Sequence, residues 1–331
     1  MIILWGLIFI VSMTVLVKGS DLFLRGAERI GVNFGFSPFL IGVLIVGVGT
    51  SLPELTSAIM GVIKGVPDIV VANAVGSNVA NIFLVLGVIA IVGKKINTSN
   101  GLIKNDLLFF VLSTILFLII VSDRVVYPQE ALVLFLVYLV YMFYLIYNSK
   151  KEAIDVVIKS EVAEIKKMIL GKSGRFYRFI YVIKSNIDYI FFVLGISMVL
   201  GGAKYLIDSV VMISKILNAS PEVISITAIS LGTSLPELFV STRAVLTGKT
   251  ELAIGNILGS NIFNILIVVG VPGLFAILPV DTKTATVGIF ALILATVFLI
   301  FGFIKKSIGR TYGLILVSLY VLFILKLFNI V

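Results

Sequence analysis

The chain has 331 residues, 60% of them hydrophobic and only 13% charged, with a net charge of +9. Soluble domains carry about twice that charged fraction, so the composition excludes one, and the basic excess fits cytoplasmic Lys and Arg of a membrane protein better than a nucleic-acid surface. The absence of Cys and His removes disulfides, thiolate and imidazole metal sites, and cysteine or histidine catalysis.

Apolar stretches long enough to cross about 30 Å of hydrocarbon predict an all-α integral membrane protein with ten transmembrane helices. They fall at about 2–17, 37–63, 69–92, 104–122, 128–147, 187–204, 221–246, 252–276, 284–304 and 311–329. Met1–Gly19 has no basic leading region and runs straight into further apolar sequence, so it is read as a span and not as a signal peptide. The amphipathic segments 18–36 and 205–220 either extend the first and sixth spans or lie at the interface. Residues 148–186 carry nine Lys/Arg and four Asp/Glu, with a Gly-Lys-Ser-Gly turn at 171–174, and read as a polar linker. The expected organisation is residues 1–147, the linker 148–186, and residues 187–331.

The two flanks repeat each other. Gly49-Thr50-Ser51-Leu52-Pro53-Glu54-Leu55 recurs as Gly232-Thr233-Ser234-Leu235-Pro236-Glu237-Leu238, 183 residues later. At the same offset Ser37-Pro38 matches Ser220-Pro221, Asn73 matches Asn256, Gly76-Ser77-Asn78 matches Gly259-Ser260-Asn261, Asn81 matches Asn264, and Gly87 matches Gly270. Between 37–87 and 220–270, 20 of 51 positions are identical. Each half holds five predicted spans, an odd number, so the second half enters the membrane in the opposite sense, giving a 5+5 inverted-topology repeat. With 148–186 in the cytoplasm, 20 Lys/Arg fall on inside segments and 6 on outside ones, which places both termini outside a multi-pass protein of the cell membrane.

Glu54 and Glu237 are the acids that sit mid-span. Burying a carboxylate there costs about 2.5–3.5 kcal/mol on insertion scales, and a cation is the economical compensation; a protonated Glu bonded to a neighbouring helix is the structural alternative. Pro53 and Pro236 each remove an N–H and free a carbonyl one turn earlier, near Gly49 and Gly232. Helices 2 and 7 are therefore expected to be broken, and unwound backbone at membrane depth can ligate ions. Thr50, Ser51 and Glu54 share one side of a helix by their i, i+3 and i, i+4 spacings. Ser77 and Asn81, and Ser260 and Asn264, are again i, i+4. Asn78 and Asn261 fall off that face, and with Asn73 and Asn256 they read as caps or as support for the ligands. Gly76 and Gly259 read as packing residues. Carboxylates, hydroxyls, amides and carbonyls are hard oxygen donors, suited to Ca²⁺ or Na⁺, and two carboxylates match the charge of one Ca²⁺.

Two copies of GTSLPE, each followed by GSNxxN, within ten spans and a central loop, resemble the α-repeats of the sodium/calcium exchanger family in its small prokaryotic form. The resemblance spans nearly the whole chain. It implies exchange of Na⁺ for Ca²⁺ by alternating access, about three to one and electrogenic, with the first and sixth spans sliding over a core. It also implies a Ca²⁺ site made by Glu54, Glu237 and the carbonyls of Thr50 and Thr233. Flanking Na⁺ sites would use Ser51, Ser77 and the Gly47 carbonyl, and Ser234, Ser260 and the Ser230 carbonyl, with Asn81 and Asn264 between. Some relatives have Asp where this chain has Asn264, so K⁺ co-transport is not expected. Neither an enzyme activity, a resident cofactor nor an obligatory protein partner is expected; the partners are the two ions and the bilayer. A proton/calcium exchanger using the same glutamates is the alternative, and a passive channel is disfavoured by the inverted repeat.

Overall fold

The computed structural model describes residues 2–97, 101–147, 174–216 and 234–327. In chain order the helices are α1 (Ile2–Asn33), α2 (Pro38–Ile63), α3 (Asp68–Gly93), α4 (Gly101–Ile120), α5 (Pro128–Tyr147), α6 (Gly174–Ile216), α7 (Leu235–Leu246), α8 (Thr250–Gly273), α9 (Thr284–Ile304) and α10 (Arg310–Leu327). Nine of these are long and apolar enough to cross a membrane, and only α7, at 12 described residues, falls short of that length.

Two expectations sharpen. The amphipathic segment after the first span extends it: α1 is continuous to Asn33. Helical backbone of α6 also reaches back over 174–186, a stretch whose charge had assigned it to the linker. Arg175–Ser185 contains neither Gly nor Pro, so nothing in it stops a helix short of the Gly-containing turn. The rest of the linker, 148–173, lies outside the described residues.

Burial sorts the helices. The most apolar stretch of α8 is 100% buried and that of α3 is 72% buried, against 17% for α1 and 22% for α10. Ile3, Phe143 and Ile304 are at least 70% exposed, and in a chain of this composition such surfaces meet lipid. Thus α2, α3 and α8 form a core, with α1, α5, α6 and α10 around it.

Small residues set the helix spacing. A Cβ on Gly42 of α2 would lie 2.2 Å from the Leu252 carbonyl oxygen, and one on Gly255 of α8 would lie 2.2 Å from the Phe39 carbonyl oxygen. These helices touch backbone to backbone, as membrane helices do where glycines replace side chains. The α1–α6 pair is built likewise: Gly19 meets Met198 and Val199, and Gly202 meets Leu16. Gly87 abuts Gly313 of α10, and Gly270 abuts Ala131 and Phe135 of α5. The turns after α2 and α7 need glycine for its backbone freedom: Gly65 has φ +75° and Gly248 φ +79°, a region costly for a Cβ-bearing residue.

Two short antiparallel strand pairs close the ends. β1 (Lys95–Asn97) pairs with β4 (Ser307–Gly309), and β2 (Val125–Val126) with β3 (Leu278–Pro279). The pairs lie at opposite ends because α4 runs from β1 to β2, and its 20 residues rise about 30 Å.

Candidate ion-binding site

The polar residues singled out in the sequence that fall among the described residues converge on the core where α2, α3, α7 and α8 meet. Ser37 caps α2 by accepting from the Leu40 N–H at 3.4 Å, with Pro38 at its first position. The helix then widens to a π-turn at Gly42–Gly47, returns to α at Val48–Thr50, and is interrupted at Ser51, where φ is −88° and ψ 6°. Leu52–Ile63 resumes the helix with Pro53 in its first turn. Ser234 has nearly the same backbone geometry, φ −92° and ψ 4°, and α7 likewise opens with Pro236 and Glu237. The glutamates therefore both sit in the first turn of a helix, where amide groups and the helix dipole favour negative charge.

Thr50, Ser51, Glu54, Asn81, Glu237, Ser260 and Asn264 are all 0% exposed, and Ser77 and Ser234 are buried too. Bonds cross between the halves. The Ser51 hydroxyl donates to Glu237 Oε1 at 3.0 Å, bringing the second-half carboxylate onto the first-half motif three residues before Glu54. Ser260 Oγ donates to the Gly47 carbonyl at 3.2 Å, a bond allowed by the close α2–α8 crossing. The Thr50 hydroxyl reaches Asn256 Oδ1 at 3.1 Å. Asn78 Nδ2 donates to the carbonyl of its repeat mate Asn261 at 3.1 Å, while within the first half Asn73 Nδ2 donates to the Glu54 carbonyl at 3.1 Å.

Glu237 Oε2 and both polar atoms of Asn81 and Asn264 are buried without a hydrogen-bond partner among the described residues. Each such atom costs about 1–3 kcal/mol when left unpartnered, and the carboxylate and amide oxygens among them are of the kind that can ligate a hard cation. No Lys or Arg pairs with Glu237 among the described residues: Arg243, further along α7, bonds Asp21 of α1 through Nε at 2.7 Å. Thr233 and Ser230 lie outside the described residues.

Sequence reasoning missed three features. Asn81 lies within a π-turn at Ala80–Val85 and Asn264 opens another at Asn264–Val268; such turns favour functional sites, but no residue type announces them. Ser241 binds Asn256 Nδ2 at 2.8 Å; its i+4 spacing from Glu237 could have marked it. The Asp21–Arg243 and Glu28–Lys249 ion pairs, which tie α1 to α7 and the turn after it, have no local signature. Arg243→Gln is expected to lower stability by about 1–3 kcal/mol by stranding partly buried Asp21. A thermal midpoint in detergent would show it, and Asp21→Asn added to it should restore part of the loss; purely additive effects would mean that the pair contributes nothing.

A lipid-exposed helical shell around a buried, oxygen-lined core defines a multi-pass membrane protein with a candidate ion-binding centre. The chain belongs to the sodium/calcium exchanger protein family, whose model matches residues 4–147 and 187–329; it is a transporter and not an enzyme. It is 32% identical to sodium/calcium exchanger MaX1 of Methanosarcina acetivorans, over 100% of this chain and 98% of that one. It is 26% identical to inner membrane protein YrbG of Escherichia coli, over 81% and 78% of the two chains. The solved structure of the sodium-calcium exchanger NCX_Mj, soaked with zero Na⁺ and Ca²⁺, superposes with a TM-score of 0.81 at 29% identity, covering 99% of this chain and 100% of that one.

Proposed function

We propose that this protein exchanges Na⁺ for Ca²⁺ across the cell membrane by alternating access, with Glu54 and Glu237 sharing the Ca²⁺. The observation that carries the reading is the Ser51–Glu237 bond, which joins the two repeat motifs around two fully buried carboxylates. A −2 site of hard oxygens suits one Ca²⁺ held by six to eight ligands. The Thr50 and Thr233 carbonyls complete that site. Na⁺ uses Ser51, Ser77 and the Gly47 carbonyl on one flank, and Ser234, Ser260 and the Ser230 carbonyl on the other, with Asn81 and Asn264 between. The Ser260–Gly47 bond links the two flanks. Because Na⁺ and Ca²⁺ need the same carboxylates, their competition produces antiport. At three to one, each cycle moves one net charge, worth about 2.3 kcal/mol per 100 mV. Neutral Asn264 offers no charge for a K⁺.

The architecture we propose is the 5+5 inverted repeat with helices broken at Ser51–Pro53 and Ser234–Pro236, on either side of the 148–186 linker. Contacts that recur at an offset of 183 support it: Gly19 on Val199 and Gly202 on Leu16, β1 on β4 and β3 on β2. Asn78 touching Asn261, its own equivalent, marks where a two-fold axis would pass. The termini lie outside and the linker is cytoplasmic.

The test is ⁴⁵Ca²⁺ uptake into proteoliposomes loaded with Na⁺ and diluted into Na⁺-free buffer. Uptake should require internal Na⁺ and ignore an imposed pH gradient. Uptake driven by the pH gradient alone would make the counter-ion a proton.

A further inference from the structure

We propose that the β1–β4 ribbon and the helix ends beside it form a binding surface for the headgroup of an anionic phospholipid. The surface does not depend on which ions the protein moves.

Lys94 follows α3, Lys305 and Lys306 follow α9, and Arg310 opens α10. All four are exposed, and all stand at the ends of membrane-length apolar helices. The strand register sets Lys95 opposite Gly309 and Asn97 opposite Ser307. It gathers the four cations around a ribbon three residues long, about 10 Å. That is close to one Debye length, so their fields add. Residues 86–97 and 298–316 hold five Lys/Arg, Lys95 included, and no Asp or Glu. None of the four exposed cations forms an ion pair among the described residues. Arg310 Nε donates to the Ile91 carbonyl at 3.1 Å, which leaves four of the five guanidinium N–H groups for an anion. Lys305 Nζ lies 4.6 Å from the centre of the Phe301 ring, and Phe301, Ile304 and Leu314 are exposed where acyl chains would lie. Lys94 and Lys306 hold φ of 64° and 57°, a region costly for a residue with a Cβ; such strain gathers at functional sites.

The ribbon as such does not need these charges. Its counterpart β2–β3 is flanked by Asp123, Arg124, Glu130, Asp281 and Lys283, three acids against two bases. The linker has the wrong sign to cover the patch. α5 runs back from β2 and brings Tyr147 to the β1–β4 end, but 148–186 carries nine Lys/Arg against four Asp/Glu. A basic cluster without acids, directly beyond apolar spans, fits the phosphate of an anionic lipid.

The experiment titrates the detergent-solubilised full chain with palmitoyl-oleoyl phosphatidylglycerol or phosphatidylcholine and counts bound lipid by native mass spectrometry. Wild type is expected to hold phosphatidylglycerol at least about tenfold more tightly than phosphatidylcholine. Lys94→Gln/Lys306→Gln is expected to weaken phosphatidylglycerol about 25-fold, about fivefold for each charge. Lys94→Arg/Lys306→Arg should retain it, and Lys64→Gln/Lys283→Gln, at the opposite end, should leave it unchanged. If the double Gln variant does not fold, Lys305→Gln alone, with a loss of about fivefold, gives the same readout. Equal retention of the two lipids, wild-type binding by the Gln variants, or an equal loss in the Lys64/Lys283 control would overturn the proposal. So would displacement of the lipid by millimolar inorganic phosphate, which would mark a site for free anions.

Discussion

Glu237→Gln is expected to reduce Na⁺-driven Ca²⁺ uptake at least about 100-fold, the equivalent of 2.7 kcal/mol. The amide has the shape of the carboxylate, and its oxygen can still accept from Ser51, as Glu237 Oε1 does at 3.0 Å. The fold should therefore persist while the charge goes. Glu237 is 0% exposed, and breaking a desolvated charge pair costs about 2–5 kcal/mol because water does not screen it. At the proposed site Ca²⁺ would lose half of its neutralising negative charge, a larger loss than for a monovalent ion. The measurement is initial ⁴⁵Ca²⁺ uptake by a variant whose size-exclusion profile matches wild type. Glu54→Gln should behave alike, and substantial uptake by either would sink the site assignment.

Gly255→Val is expected to prevent assembly of the core. Its Cβ would fall 2.2 Å from the Phe39 carbonyl oxygen and 3.1 Å from Gly42 Cα. Both are backbone atoms, so no side chain can rotate away. α2 and α8 would have to part, stretching the Ser260–Gly47 bond (3.2 Å) and the Thr50–Asn256 bond (3.1 Å) beyond hydrogen-bond range. Overpacking typically costs about 1–3 kcal/mol where side chains can relax, and more is expected here. Thermal unfolding in detergent should show a lost or sharply lowered transition and no exchange. Gly6→Ala is the control, since a Cβ there meets nothing within 4 Å. A wild-type transition for the Gly255 variant would mean that the close crossing is not needed.

Much of the site is legible in the amino-acid sequence. Only two acids sit mid-span, each beside a Pro and two hydroxyls, and the same set returns after 183 residues. Local chemistry makes those positions stand out, because a bilayer penalises every one of those groups unless something compensates. Asn73 and Asn256 are legible only as polar residues on the supporting face. Their different tasks depend on what stands opposite, which is the Glu54 carbonyl for one and Ser241 with Thr50 for the other. The helical backbone over 174–186 escapes a sequence reading because charge density marks 148–186 as linker, while a stretch without Gly or Pro can continue a helix.

The sequence by itself determined that this is a membrane protein of two related halves with paired buried carboxylates, since hydropathy, proline and charge act at the scale of one helix turn. The tertiary structure alone decided the partners across the halves: Ser51 with Glu237, Gly47 with Ser260, Thr50 with Asn256, Asp21 with Arg243. Helical periodicity fixes which residues share a face but not which face it meets; that depended on how closely glycines let whole helices approach.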